Sequence, residues 1–253
     1  MTRGEILSGL RGKRESGVIL QGRALGRPGS AQLVKREGAD LAVVYNTGDY
    51  AGAGRGILSG LMAYGDANRI VAEAGTKILP LLRDIPVFAG VCGTDPFRVM
   101  EVFLKRLKKQ GFAGIQNFPT VGLLDGTFRR NLEETQMGYG LEAEMIRIAR
   151  SFDMLTMPLV FDTEQAGIMA LAGADILVAH MGLATRNAVE NRTKADLEDC
   201  AAKMTKIGDA ARRVNPDILL FCHGGLLTGP SDLHFMSSKA RHMDGFFDIV
   251  DEK

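Results

Sequence analysis

The stretch Gly111–Arg130, GFAGIQNFPTVGLLDGTFRR, begins as an apolar strand and continues as a polar, glycine-rich loop. Its first part, Ala113–Phe118, has the composition of a buried β-strand, and the sequence changes character at Asn117. Pro119 and the Asp125–Gly126 pair then belong to a loop that is too polar for a protein core. In parallel α/β proteins such loops emerge on one face of the sheet, where chemistry is usually placed.

The same order of apolar run, polar loop and helical pattern recurs along the chain. Eight apolar runs are predicted to be strands: Val18–Gln21, Asp40–Asn46, Ile85–Cys92, Ala113–Phe118, Met154–Val160, Asp175–His180, Ile218–Cys222 and Gly245–Val250. Eight strands separated by helices predict an α/β fold, a (β/α)8 TIM barrel formed by residues 1–253 as one domain. The alternative is an open doubly wound sheet, but no dinucleotide-binding glycine fingerprint follows a strand.

Both ends of the chain are unusual for a barrel. A short amphipathic helix is predicted at Arg3–Arg14, and the final helix is predicted to be missing or truncated, because the sequence stops soon after the eighth strand. The N-terminal helix and a neighbouring subunit are both candidates to cover the gap. An unclosed barrel edge would expose apolar surface, so we expect a homo-oligomer.

Composition excludes several classes of protein. With 253 residues, 45% of them hydrophobic, and a net charge of +1, the chain offers no electrostatic argument for nucleic acid or an acidic membrane. The three cysteines are widely spaced and form no CxxC pair, which favours a reducing compartment. No apolar run resembles a signal peptide or approaches 18 residues. We therefore expect a cytoplasmic protein that binds neither nucleic acid nor membrane.

Two histidines stand where apolar strands break into glycine-containing loops. His180 and His223 end the sixth and seventh strands, so they are predicted to lie side by side at the barrel mouth. They are candidates for acid/base catalysis or for a pair of metal ligands. The alternative is that both are held by backbone carbonyls and have a structural role.

Two aspartates are candidates for catalysis or for binding a divalent metal. Asp95 and Asp162 follow the third and fifth strands, and Mg²⁺ prefers a few carboxylates completed by water. Each aspartate also precedes a predicted helix, so N-capping alone would explain both. After Asp95, Pro96 stands at the first predicted helical position, which proline favours. Because the sequence has no tightly spaced metal motif, the choice stays open at this point.

Other polar residues and glycines at strand ends, together with Arg55 from the long loop after the second strand, are predicted to bind a small-molecule carboxylate substrate. They are Asn46, Thr47, Arg55, Cys92, Thr94, Asn117, Thr120, Gly224 and Gly225. The glycine pair would let backbone N–H groups approach an anion. No lysine ends a strand, which argues against a Schiff-base mechanism, and the acidic sequence DIVDEK after the eighth strand argues against a standard phosphate cup.

Several long motifs together resemble one known family. They are VVYNTGDY, AGAGRGILSGLMAYGDAN, PVFAGVCGTDPF, GIQNFPTVGLLDGTFRRNLEETQMGYGLEAEMI, ILVAHMGL and LLFCHGG. They resemble the phosphoenolpyruvate hydrolase-like TIM-barrel proteins, whose domain is similar to the C-terminal part of plant Tm-1 resistance proteins. The resemblance implies a barrel and a hydrolase or lyase that acts on a small oxo- or enol-acid, such as phosphoenolpyruvate or phosphonopyruvate.

The chain departs from this family in the loop QGRALGRPGS after the first strand and in DIVDEK after the eighth. Two hypotheses follow. In the first, the protein cleaves a bond next to a carbonyl or enol, using His180, His223, Asp95 and Asp162, with Mg²⁺ or another divalent metal as the candidate cofactor. In the second, the barrel has lost turnover and serves as a ligand-sensing or protein-interaction module.

Overall fold

The computed structural model describes residues 1–250, with Pro230 described by its backbone alone. Its strands are β1 (Leu20–Leu25), β2 (Leu41–Val44), β3 (Val87–Gly90), β4 (Gly114–Gln116), β5 (Leu155–Thr156), β6 (Leu159–Val160), β7 (Ile176–His180), β8 (Leu219–His223) and β9 (Gly245–Ile249). Its helices are α1 (Arg3–Glu15), α2 (Ala31–Arg36), α3 (Gly48–Gly52), α4 (Ala67–Ile78), α5 (Met100–Gln110), α6 (Gly126–Glu134), α7 (Tyr139–Ser151), α8 (Thr163–Leu171), α9 (Arg186–Glu190), α10 (Lys194–Val214) and α11 (Pro230–Lys239).

The parallel sheet closes on itself. Its strand order is β5-β4-β3-β2-β1-β9-β8-β7-β6, and the two outermost segments are consecutive pieces of one stretch, interrupted at Met157 and Pro158. On one side of this stretch the Met157 N–H donates to the Ile115 carbonyl at 3.0 Å, and on the other the Val178 N–H donates to the Pro158 carbonyl at 2.9 Å. The nine segments therefore form the predicted eight-stave barrel, and the open sheet is excluded.

Helix α1 closes the N-terminal end of the barrel. Ile6, Leu7 and Leu10 are buried and belong to the apolar cluster that fills the barrel interior, together with the first residues of several strands. Arg3 anchors the helix by donating two hydrogen bonds to the buried carboxylate of Asp175, just before β7. The N-terminal helix therefore does not cover the gap beside the last strand, for which it was a candidate.

Several predicted boundaries were wrong in ways that matter at the mouth. The first strand was predicted to end at Gln21, but β1 runs to Leu25, so the loop that follows it starts at Gly26. A Cβ on Gly48 would lie 2.2 Å from the Gly26 carbonyl oxygen, so this loop packs backbone to backbone against the start of α3. Helix α5 begins at Met100, well after Pro96, so Asp95 does not cap it.

The gap beside the last strand lies on the outer surface of the sheet. Within residues 1–250 no helix follows β9, whereas its edge pairs with β1 along the whole strand. Arg23 of β1 faces outward there, 2.8 Å from Glu37 and 3.7 Å from the mostly exposed carboxylate of Asp248. The unclosed edge on which a homo-oligomer was expected is thus not present, and the oligomeric state stays a prediction. The end of the acidic DIVDEK segment, residues 251–253, lies outside the described residues.

Within residues 1–250 no helix is both long and apolar enough to cross a membrane.

Candidate functional site

A cavity of about 190 Å³ opens at the C-terminal mouth of the barrel, with the two predicted histidines in its wall. The rings of His180 and His223 meet edge to face, with 5.0 Å between their centroids. Tyr45 and Phe118, stacked with 4.0 Å between centroids, line the same cavity. The register of β7 against β8 sets the two histidines directly opposite each other, so parallel pairing creates the pair.

His180 is held as a neutral hydrogen-bond donor. Its Nδ1 accepts the Gly182 N–H at 3.0 Å, so the remaining proton of the neutral ring is on Nε2. Burial, then electrostatic interaction with His223 and Lys203, lowers the pKa of His180 to about 3. The ring of Phe161 stacks on it at 5.0 Å and fixes its plane.

His223 is held in the opposite tautomer. Its Nδ1 lies 2.7 Å from the Phe247 carbonyl oxygen, which can only accept, so Nδ1 carries the proton and Nε2 has a free lone pair. Burial lowers the pKa of His223, and the contact with the Phe247 carbonyl opposes that effect. Among the described residues, neither His180 nor His223 has a hydrogen-bond partner for its Nε2. The pair therefore offers one donor and one acceptor to a ligand.

The two glycines after β8 let the loop pass close to the histidines. Gly224 and Gly225 have φ of 71° and 68°, a region that favours glycine, and a Cβ on Gly224 would lie 3.0 Å from His180 Cε1. The Gly225 N–H donates to the Gly182 carbonyl at 2.8 Å, so it is occupied. Of the two backbone N–H groups that were predicted to approach an anion, only that of Gly224 has no partner among the described residues.

A second cavity, of about 400 Å³, adjoins the first and shares Tyr45, Ile57 and Ile249 with it. Arg55 and Thr47, both predicted to bind substrate, line this outer cavity. Within residues 1–250 the Arg55 guanidinium has no ion-pair or hydrogen-bond partner. The fold thus brings a free cation to the entrance of the histidine cavity.

Asn46, which precedes Thr47, lies behind this surface. Its side chain is 2% exposed and donates to the Gly60 carbonyl at 3.0 Å, while its Oδ1 has no partner among the described residues. It supports the long loop after β2, which the structure folds into α3 and a short 3-10 turn, Ile57–Leu61.

Asn117 and Thr120 point away from the cavity, towards a residue that the sequence interpretation missed. The carboxylate of Glu142, on α7, accepts from Asn117 Nδ2 at 2.5 Å, from Thr120 Oγ1 at 2.7 Å and from the Val121 N–H at 2.7 Å. Asn117 also bonds the Leu159 N–H and carbonyl, which ties β4 to β6. These contacts hold the loop that carries Phe118 into the cavity wall.

Glu142 is fully buried, and burial raises its pKa to about 7 although its hydrogen bonds to Thr120, Val121 and Asn117 oppose the shift. The periodicity of α7 contains a signal for this burial, because Glu142 lies three residues from both Tyr139 and Met145, which are buried on the same face. A carboxylate at a core position of an amphipathic helix needs specific donors.

The remaining predicted residues lie elsewhere. Thr94 and Asp95 line a separate cleft beside α7, and Cys92 Sγ lies 3.6 Å from Thr94 Oγ1. Burial raises the pKa of the Cys92 thiol, which keeps it protonated. Asp162 is exposed and caps α8 by accepting the Gln165 N–H at 2.8 Å, as its alternative interpretation predicted.

The two aspartates do not form a metal site with each other. Asp95 is engaged by the Asn68 amide at 2.9 Å, the Phe97 N–H at 2.9 Å and the Arg98 guanidinium at 3.3 Å. In the part of the chain that the structure describes, no group of three or more His, Cys, Asp and Glu side chains is placed to hold a metal ion. This donor set does not fit Mg²⁺, which needs several oxygen ligands free to point at one ion.

Comparison with known proteins agrees with the resemblance of the motifs. The family model described as phosphoenolpyruvate hydrolase-like matches residues 5–249. Two tomato (Solanum lycopersicum) proteins, the ToMV susceptible protein tm-1(GCR26) and the ToMV resistance protein Tm-1(GCR237), are each 46% identical over 242 residues. The match covers 96% of the chain and 32% of each tomato protein, so the chain spans about a third of their length.

Solved structures share the fold at low identity. A phosphonopyruvate hydrolase in complex with oxalate and Mg²⁺ superposes with a TM-score of 0.58 at 14% identity, covering 99% of this chain and 80% of that one. A 2,3-dimethylmalate lyase of the PEP mutase/isocitrate lyase superfamily gives a TM-score of 0.58 at 13% identity, with 96% and 80% covered. At this identity the likeness concerns the fold alone.

Proposed function

The chain belongs to the phosphoenolpyruvate hydrolase-like family, and we propose that it is an enzyme, a lyase or hydrolase that cleaves the bond next to a carbonyl in a small carboxylate. The observation that carries this proposal is the pair of neutral histidines with opposite tautomers, both with Nε2 available at the mouth of the barrel. Bond cleavage next to a carbonyl needs a base and an oxyanion donor, and the pair supplies both.

His223 is the general base. Its free Nε2 removes the proton from a substrate hydroxyl in a lyase reaction, or from a water molecule in a hydrolase reaction. In the lyase reaction the oxygen electron pair forms a new carbonyl, and in the hydrolase reaction the hydroxide oxygen attacks the substrate carbonyl. In both, the adjacent carbon–carbon bond then breaks, and its electrons pass to the leaving carbon as an enolate. The proton on Nε2 then returns to that carbon, so the ring ends the cycle neutral.

His180 is the oxyanion donor. Its Nε2–H hydrogen-bonds the enolate oxygen as negative charge develops there, and the Gly224 N–H is a second donor on the same wall. A pKa of about 3 keeps His180 neutral at physiological pH, so it stabilises charge without transferring its own proton. The aromatic wall excludes water and strengthens the hydrogen bond.

We assign no step to a metal. The related fold in complex with oxalate and Mg²⁺ makes a divalent ion a reasonable expectation for the superfamily, but the described carboxylates are engaged by other groups. Asp95 and Asp162 therefore act in this proposal as structural residues rather than as metal ligands.

Turnover of small oxo-acids tests the proposal. Purified protein is incubated with hydroxy-oxo acids, oxaloacetate, phosphoenolpyruvate and phosphonopyruvate, and released pyruvate or other oxo-acid is measured. We expect His223→Gln and His180→Gln each to lower kcat at least 100-fold, the range typical of one acid/base or oxyanion group. His234→Gln, on the exposed side of α11, is the control and keeps full activity.

A result in which both site variants match the control would refute the roles of the histidines. Binding of an oxo-acid without conversion by the unaltered protein would favour a ligand-sensing module instead, a function that would fit a domain covering a third of larger relatives.

A further inference from the structure

We propose that the histidine cavity selects monocarboxylates with an uncharged, apolar body and rejects phosphorylated or phosphonylated acids. The inference rests on the proposed function, since it concerns the substrate class of the same site. It departs from the substrate that the family name suggests, and it follows from the wall of the cavity.

The wall is apolar on every side except at the histidines. Aliphatic side chains from the loops and strands around the mouth line it, among them Ile57, Leu61, Leu123, Leu159, Leu183 and Ile249. The cavity volume of about 190 Å³ is below the roughly 300–1,000 Å³ of drug-sized sites, which fits a metabolite of a few carbon atoms. Burying alkyl groups against such a wall is favourable, whereas an anion would lose its hydration there and find no compensating partner.

The polar atoms of the cavity suit one oxygen rather than a phosphoryl group. Both imidazoles are neutral, and the lone pair on His223 Nε2 faces the ligand and would repel a negatively charged oxygen. No lysine, arginine or metal cluster lines this cavity among residues 1–250. The ammonium of Lys203, which lies behind His180, donates to the His180 carbonyl at 3.0 Å and is occupied by the backbone of β7. A buried dianion would have no counter-charge.

The adjoining cavity provides for a single negative charge. Among residues 1–250 the Arg55 guanidinium has no partner, and Thr47 has a hydroxyl on the same surface. Because the two cavities share Tyr45, Ile57 and Ile249, a ligand can place a carboxylate beside Arg55 and its apolar body among the leucines. One cation and one apolar cavity together define a monocarboxylate.

Binding of compounds with no cleavable bond tests the inference separately from turnover. Isothermal titration calorimetry compares 4-methylpentanoate with phosphonoacetate at pH 7. We expect 4-methylpentanoate to bind at least tenfold more tightly. Equal or tighter binding of phosphonoacetate would overturn the inference, and so would failure to bind either compound.

Two variants assign the selectivity to the proposed groups. Leu183→Arg adds a cation to the wall at a side chain that is 55% exposed, so folding is preserved, and it should reduce the preference for the apolar acid at least tenfold. Leu171→Arg, at an exposed position on α8 away from the cavity, should leave the preference unchanged. Arg55→Gln should weaken 4-methylpentanoate at least tenfold and 4-methylpentanamide by less than twofold.

The two proposals fail in different ways. Selective binding of the apolar acid by a protein that turns over none of the oxo-acids would refute the proposed reaction and leave the substrate class standing. Efficient cleavage of phosphonopyruvate, with phosphonoacetate bound tightly, would support the enzyme and refute the selectivity.

Discussion

Removing the carboxylate of Glu142 should destabilise the whole barrel and loosen one wall of the cavity. Glu142→Ala removes the acceptor of three buried donor groups: one N–H of Asn117 Nδ2, whose other N–H keeps the Leu159 carbonyl, the Thr120 hydroxyl and the Val121 N–H. A buried donor left unpaired costs about 1–3 kcal/mol, so three of them cost about 3 kcal/mol at the lower limit. A domain of this size loses roughly 2–4 °C in Tm for each kcal/mol, so Tm should fall by about 6–12 °C.

Glu144→Ala is the matched control because it lies on the same helix. Its carboxylate is exposed and, in the part of the chain that the structure describes, pairs only with Arg147, an interaction worth about 0–1 kcal/mol. Thermal unfolding followed by circular dichroism measures both variants. A Glu142→Ala protein that melts within about 2 °C of Glu144→Ala would show that the buried network contributes little, and the assignment of Glu142 as the support of the loop would be wrong.

The pH dependence of stability tests Glu142 in a second way, because here a substitution is expected to stabilise the protein. Burial raises the pKa of Glu142 from 4.5 to about 7, so between these values the folded state keeps a proton that the unfolded chain releases. Stability should therefore fall as pH rises from about 4.5 to 7, by an amount on the order of 3 kcal/mol. Glu142→Gln removes this titration, so its stability relative to the unaltered protein should improve over that range in urea unfolding.

Three further substitutions test the mouth of the barrel, its N-terminal end and the histidine pair, in that order. Gly48→Ala should cost more than about 2 kcal/mol in urea unfolding, because its Cβ meets backbone at 2.2 Å, whereas Gly29→Ala, with nothing within 4 Å, should be nearly neutral. Arg3→Ala should cost about 3–5 kcal/mol in the same assay by leaving the buried carboxylate of Asp175 without its cation, with only Thr156 among the described residues donating to it. Lys203→Met should raise the pKa of His180 in an NMR titration, because the ammonium charge is one cause of its low value.

The fold could be predicted from the sequence because its signals are local and repeated. Each strand of the barrel is a short apolar run bounded by polar residues, and all eight predicted runs overlap observed strands, although the first strand is shifted to Leu20–Leu25. Errors occurred where tertiary contacts override local preference. The sequence around Asp95 and Pro96 resembles a helix start, but Asp95 is drawn into contacts with Asn68 and Arg98, and the helix begins later.

The site could be predicted only where topology alone places residues. His180 and His223 end neighbouring strands, so parallel register was enough to bring them together. Asn117 also ends a strand, but its side chain turns towards Glu142, and nothing local in the sequence indicates that direction. Tautomers are likewise beyond sequence, since they depend on which backbone group meets each ring.

The two histidines illustrate how a backbone can give one residue type two roles. Both end adjacent strands and both have a lowered pKa, yet His180 receives an N–H at Nδ1 and His223 faces a carbonyl there. The first contact leaves a donor at Nε2 and the second leaves an acceptor, so the chemistry of the pair is set by Gly182 and Phe247 rather than by the imidazoles. Both contacts are to backbone groups, so apart from Gly182→Pro, which deletes the N–H, no side-chain substitution removes either partner. The barrel geometry thereby maintains the asymmetry that the proposed proton transfer requires.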